Sequence, residues 1–274
     1  MWPEVLPTFA LARPSTVDEA VDLLSDDHVP YCGGTELLLA MRAGLLRPEA
    51  LVDLKRVDGL GGVATAEGRV TIGAVSTHAE IATDTTIRGS LPLVAEVERG
   101  VGNARVRAQG SIGGNLCFAE PKSDVTTVLV ALGASVSLRS PTGEREVTVE
   151  DFLAGAYWTV REPDELLVGV HVPVHRDRRG VYLRYQTMER PTANVALLAE
   201  PAGQVRLVVG AVGEVPVARS YQDLDDVDAD DVARSVDPIP DLTGSIEYKR
   251  HITAVYVRRA VDRLRAVLGT KTQP

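Results

Sequence analysis

The chain has 274 residues, 45% of them hydrophobic and 24% charged, with a formal net charge of −9. That length suits one large domain or two moderate ones with a well-buried core, and the composition excludes disordered and fibrous classes. The acidic balance argues against nucleic acid as a partner, while a phosphate-bearing cofactor stays open. Two cysteines, Cys32 and Cys117, cannot supply the thiolates of a typical iron–sulfur cluster or Cys-rich zinc site, so no metal is expected in this chain. The N-terminus has no basic stretch leading into a long apolar run, and no segment approaches ~18 uninterrupted apolar residues. A cytoplasmic protein without a transmembrane segment is expected.

After Pro14, Ser15-Thr16-Val17-Asp18 resembles a capping box, with Val17, Val21 and Leu24 on one helical face. His28–Cys32 reads as a brief strand, Gly33-Gly34-Thr35-Glu36 as a turn, and Leu37–Leu46 as a helix. Strands are predicted at Ala50–Leu54 and Arg69–Val75, then a helix beginning near Thr77 and another over Leu93–Glu98. A second glycine turn, Ser111-Ile112-Gly113-Gly114-Asn115, leads into an extended Leu116–Asp124 and an apolar helix over Val125–Leu132 that stops at Gly133. Val136–Arg139 and Arg145–Val149 form a hairpin around Pro141-Thr142-Gly143, followed by a strand over Asp164–Pro173. The polar stretch His175–Gly180 reads as a linker. Beyond it, Val181–Met188, Asn194–Glu200 and Gln204–Ala211 suggest an antiparallel meander, covered by helices at Asp228–Val236 and Ser245–Leu268. Residues 221–241 carry eight Asp and one Arg, whereas residues 249–271 carry seven Lys or Arg and one Asp. These runs read as solvated faces that neutralise each other, or as a docking surface.

The two glycine pairs are the most informative feature, because glycine reaches positive φ and admits a ligand close to backbone N–H groups. An anion there would be held by N–H donors, the Thr35 and Ser111 hydroxyls and Asn115, since neither loop carries Lys or Arg. Each pair is equally compatible with an ordinary turn. No GxGxxG, GxxxxGK[ST], HExxH or GxSxG pattern is present, so Rossmann, P-loop, zinc-protease and hydrolase readings lack an anchor. His78 reads as a surface or capping-region residue, and His171 and His175 as strand-end residues.

The strings YCGGTELLLAMRAGLLRPEALVDLKRV, VTIGAVSTHAEIA, VRAQGSIGGNLCFAEPKSD and DELLVGVHVP, in this order and spacing, resemble the FAD-binding medium subunit of the molybdenum hydroxylases. That group contains aerobic carbon monoxide dehydrogenases, xanthine dehydrogenases and related aromatic or heterocycle hydroxylases. The resemblance spans essentially the whole chain. It implies an α+β architecture: a p-cresol methylhydroxylase-type FAD-binding domain over 1–174, with α/β subdomains at about 1–55 and 56–174, then a C-terminal flavoprotein domain over 180–274 built of a three-stranded antiparallel sheet with helices. By the same resemblance Tyr31, Cys32, Gly33, Gly34, Thr35, Glu36 and Leu37 form one pyrophosphate loop, and Ser111, Ile112, Gly113, Gly114 and Asn115 the other. Asp124 would accept hydrogen bonds from adenosine-side hydroxyls, or act as a helix N-cap. Leu167 would line the cofactor. Arg184 is the nearest match to a lysine that some relatives place by the flavin, or is an ordinary strand residue.

Cys32 stands where relatives commonly have Ala, and a packing role is expected. The first loop carries no His, so FAD is expected to be non-covalent. Its GGTE departs from the GGHS usual in carbon monoxide dehydrogenases, which argues against carbon monoxide as substrate. The resemblance implies a flavin that takes single electrons from [2Fe–2S] clusters of a small partner subunit, fed by a large subunit with a molybdenum cofactor, and passes pairs to NAD, oxygen or a quinone. No catalytic acid or base is then required of this chain. The alternatives are a self-contained flavin oxidase or reductase of the same fold and a non-catalytic assembly module.

Overall fold

The computed structural model describes residues 6–269, so Lys271 of the basic run lies outside the described residues. A small parallel sheet comes first, with Ala50–Asp53 between Ala10–Ala12 and His28–Tyr31. Its leading helix, Val17–Asp22, is capped one residue later than the sequence pattern suggests. Thr16 Oγ1 accepts from Glu19 N–H, and the Glu19 carboxylate accepts from Thr16 N–H and from both Ser15 donors. Glu19, three residues past the cap, completes a reciprocal pair that Asp18 does not form.

Next comes a five-stranded antiparallel sheet in the order Val63–Ala66, Arg69–Gly73, Leu166–Pro173, Ser135–Ser140 and Gly143–Thr148. Helices cover one face, and the most deeply set is Asp124–Leu132, all of whose residues are buried. A helix buried along its whole length must be packed on every side. Its outer face meets a second antiparallel sheet, Arg179–Gln186, Pro191–Ala199, Val205–Gly210 and Val217–Tyr221 in that order. The sequence led to three strands here; the fourth, VARSY, lacks a long apolar alternation and is held by register with Val205–Val209.

Strand alternation then divides this sheet between two cores. Ala196, Leu198 and Val208 join the central core, while Val195, Leu197, Leu207 and Val209 pack on the helices Ala229–Ser235 and Ile246–Gly269. The acidic and basic runs meet across those helices: Arg258 bonds Asp230 at 2.5 Å and Arg265 bonds Asp225 at 2.6 Å. This agrees with the neutralising reading of the two runs.

The second glycine motif is not a loop followed by extended chain. Ser111 is the N-cap of a helix, Ile112–Phe118, its Oγ accepting from Gly114 N–H at 3.2 Å. Ile112 and Leu116, one turn apart, are both fully buried, and that burial outweighs the poor helix propensity of two glycines.

The loop before the last helix is fastened by a buried lysine. Lys249 Nζ donates to Ile239 O at 2.6 Å and to Asp241 Oδ2 at 2.8 Å, and Lys122 Nζ reaches the same carboxylate oxygen at 2.6 Å. Burial pushes the Asp241 carboxyl up, but the hydrogen bonds from Lys122, Lys249 and Thr243 outweigh it and hold the group well below the usual carboxylate range. A depressed carboxylate contributes stability above its ordinary pKa of 3.8 and loses it as pH falls toward the folded value. Thermal melts of wild type and Asp241→Asn are therefore expected to differ above about pH 4 and to converge below it. A gap that stays constant into acid contradicts this assignment.

Candidate functional site

The strand His28–Tyr31 delivers the chain into Cys32-Gly33-Gly34-Thr35-Glu36, and the helix Leu37–Arg42 carries it away. Gly34 has φ +66°, a left-handed conformation that favours glycine. Gly33 is required for a different reason: a Cβ there would lie 1.9 Å from the carbonyl oxygen of Gln109. The first glycine loop thus rests on the backbone that leads into the second motif, and no side chain fits between. Among the described residues, the N–H groups of Gly34, Thr35 and Glu36 find no protein acceptor.

The second motif is wired differently. Ile112 N–H donates to Ser76 O, Gly113 N–H to Ala74 O and Asn115 N–H to Ser111 O, so its amide donors are committed inside the protein. A Cβ at Gly113 would come within 2.7 Å of Ala74 O. Around Gly114, by contrast, a Cβ would meet only its own N-cap oxygen, Ser111 Oγ, at 3.1 Å, which leaves open space beyond it. The first loop therefore offers N–H donors, and the second offers room, a hydroxyl and the Asn115 amide. Unengaged backbone donors on one motif and open space around a glycine on the other suit a cofactor with a diphosphate.

The site continues from Asn115. Its Oδ1 accepts from Ser123 Oγ at 2.8 Å, and Ser123, rather than Asp124, caps the buried helix through Thr126 N–H. Asp124 is the first residue of that helix and turns its carboxylate to the C-terminal sheet. There it accepts from Tyr182 Oη, from Arg184 Nη1 at 2.5 Å and from Asn194 Nδ2 at 3.0 Å. Burial raises the Tyr182 phenol, and the neighbouring Asp124 charge adds to it, so the tyrosine stays a donor. Arg184 also donates to Gly100 O at 3.2 Å, which makes it a bridge between sheet and helices rather than an ordinary strand residue. Leu167 stands apart, packed in the central core.

Cys32 is half-buried beside Ser111, and burial pushes its thiol up. It lines a cavity of about 820 Å³ with Tyr31, Gly33, Lys55, Ser76 and Gln109. His78 is buried, not a surface residue, because its ring pairs with Glu98. His171 is likewise interior, held between Thr71 Oγ1 and Ser137 Oγ, each at 2.9 Å.

One cluster had no signal in the sequence. Arg190, in the turn between the first two strands of the C-terminal sheet, donates to Glu36 Oε1 at 2.7 Å and reaches Glu120 Oε2 at 3.2 Å. Tyr157 Oη donates to the same Glu120 oxygen at 3.0 Å, and burial followed by that charge pushes the phenol up to about 12. Arg190 thereby joins the C-terminal sheet to the first glycine loop and to the segment after the second motif.

Among the described residues no group of His, Cys, Asp and Glu could hold a metal ion, and no helix is long and apolar enough to cross a membrane. Residues 7–175 match the family described as FAD binding domain in molybdopterin dehydrogenase, and the chain belongs to that family. It is an oxidoreductase subunit whose cofactor is FAD. The chain is 31% identical to the carbon monoxide dehydrogenase medium chain of Afipia carboxidovorans, over 94% of this chain and 97% of that one. It is 29% identical to the glyceraldehyde dehydrogenase medium chain of Sulfolobus acidocaldarius, over 93% and 97% respectively. The solved structure of reconstituted carbon monoxide dehydrogenase from Oligotropha carboxidovorans superposes with a TM-score of 0.90 at 28% identity, covering 96% of this chain and 99% of that one.

Gly33→Ala is expected to lower the melting temperature and weaken FAD binding together, because its Cβ meets backbone that has nowhere to go. Arg190→Ala should leave the fold intact and loosen the joint between the C-terminal sheet and the first glycine loop, read as faster hydrogen exchange at Leu38 and Ala40, whose amides bond Gly34 O and Glu36 O. Unchanged exchange there contradicts the joining role of Arg190.

Proposed function

We propose that this chain is the FAD-carrying electron-transfer subunit of a cytoplasmic molybdenum hydroxylase. It would accept electrons from the [2Fe–2S] clusters of a small partner subunit and deliver them to NAD, oxygen or a quinone. A large partner with the molybdenum cofactor would oxidise the substrate. The observation that carries this reading is the close approach of the first glycine loop to the backbone leading into the second motif, with three unengaged N–H donors on the first and open space around Gly114 on the second. Similarity to medium chains over nearly the full length supports the same role.

When bound, the flavin supplies chemistry no side chain has, converting single-electron arrivals into a two-electron delivery. The chain's own task is to hold and insulate it. The amides of Gly34, Thr35 and Glu36 and the hydroxyls of Thr35 and Ser111 would take the diphosphate oxygens. Asn115 has its oxygen engaged by Ser123, and its Nδ2 finds no acceptor among the described residues.

Asp124 suits a cofactor hydroxyl for a countable reason. A carboxylate offers about four acceptor positions, and Tyr182, Asn194 and Arg184 use three of them. Arg184 pairs with this carboxylate beside the helix start, where the helix dipole also favours an acidic side chain. The loop has no histidine to tether the flavin, and burial pushes the half-buried Cys32 thiol up, which disfavours a thiolate, so the binding is non-covalent.

Gly114→Val tests the assignment, because its side chain would enter the open space without touching the core. The variant should fold, keep its association with both partner subunits and purify with no FAD. Flavin near one per chain in Gly114→Val would overturn the loop assignment.

A further inference from the structure

Glu98 is fully buried on the apolar face of the helix Pro92–Arg99, beside Val94, Ala95 and Val97. Its Oε2 lies 2.5 Å from His78 Nδ1, while among the described residues Oε1 has no hydrogen-bond partner. Such a group is costly, and an apolar pair in its place is commonly neutral or stabilising. Packing therefore gives no reason to keep it.

What the pair touches supplies one. The His78 ring lies against Gly110, where a Cβ would come 3.0 Å from Cδ2 and 3.3 Å from Nε2. His78 N–H donates to Gly110 O at 3.0 Å, and Thr77 pairs with Ser111. Gln109, the residue before, is the one whose carbonyl carries Gly33. A single chain of contacts thus runs from Glu98 through the imidazole to Gly110, Gln109 and the first glycine loop.

We propose that the buried His78–Glu98 pair is the positioning element of the joint between the two glycine motifs, fixing the ring that sets the Gly110–Ser111 turn and with it the affinity for FAD. This rests on the FAD reading given above. Neither residue is assigned a contact with the cofactor; both act through the turn.

Apo full-length chain, titrated with FAD by flavin fluorescence quenching and visible circular dichroism, tests the proposal. Wild type must bind; if it does not, the FAD reading itself fails and the pair is not at issue. Glu98→Gln keeps the shape and an acceptor for Nδ1, and should bind within about threefold of wild type. The double variant His78→Leu with Glu98→Leu should melt within a few degrees of wild type yet bind FAD about tenfold or more weakly, with an altered flavin dichroism. Should that variant not fold, His78→Asn, which keeps a donor toward Glu98 but removes the ring from Gly110, should show the same loss. Wild-type affinity and dichroism in a folded double variant, or in His78→Asn, would overturn the proposal.

Discussion

The architecture turns on one approach of backbone to backbone. Gly33 meets the Gln109 carbonyl so closely that a methyl group would sit 1.9 Å from it. Because of that contact, the first glycine loop rests on the backbone leading into a second motif nearly eighty residues further along the chain. The parallel sheet holds Gly33 from one side, through the strand His28–Tyr31 and its pairing with Ala50–Asp53. The antiparallel sheet and its helices hold Gln109 from the other. Each sheet therefore supports one side of the joint, and Gly33 is where the two sides meet.

The second constraint is electrostatic. Asp124 enters the structure at the start of a helix packed between two sheets, and its carboxylate draws Tyr182, Arg184 and Asn194 from the C-terminal sheet toward the glycine cleft. Asn194 in turn accepts from Thr127 Oγ1 at 2.9 Å, so the polar network is closed by groups on the same buried helix. With Ser123 engaging Asn115, a continuous path of hydrogen bonds leads from the second motif to the C-terminal sheet. Arg190 makes a separate crossing to Glu36 and Glu120. Rigid support of this kind holds the groups of a cofactor site in a fixed geometry.

Much of this was legible in the sequence where one local signal dominated. Gly33-Gly34 between a strand and a helical run named its own turn, and Gly133 ended the helix it was read to end, with φ +68°. The family resemblance supplied the α+β layout, which the similar solved structures bear out. Local reading failed where tertiary contact decides. Gly113 and Gly114 look like helix breakers, yet burial of Ile112 and Leu116 and the Ser111 cap make them the first turn of a helix. His78 read as a surface or capping-region residue and Glu98 only as the end of a helix, and nothing in the spacing of twenty residues announces a buried pair. Arg190 is 154 residues from Glu36, and a lone arginine in a hairpin turn carries no mark of its partner.

The central claim is that the joined glycine motifs hold FAD without a covalent bond. The most direct measurement is the visible absorption spectrum of the purified chain, followed by chromatography of what acid precipitation releases into the supernatant. The account predicts a flavin spectrum and free FAD near one per chain in the supernatant. A colourless chain that fails to bind added FAD, or flavin that stays with the precipitate, would contradict it.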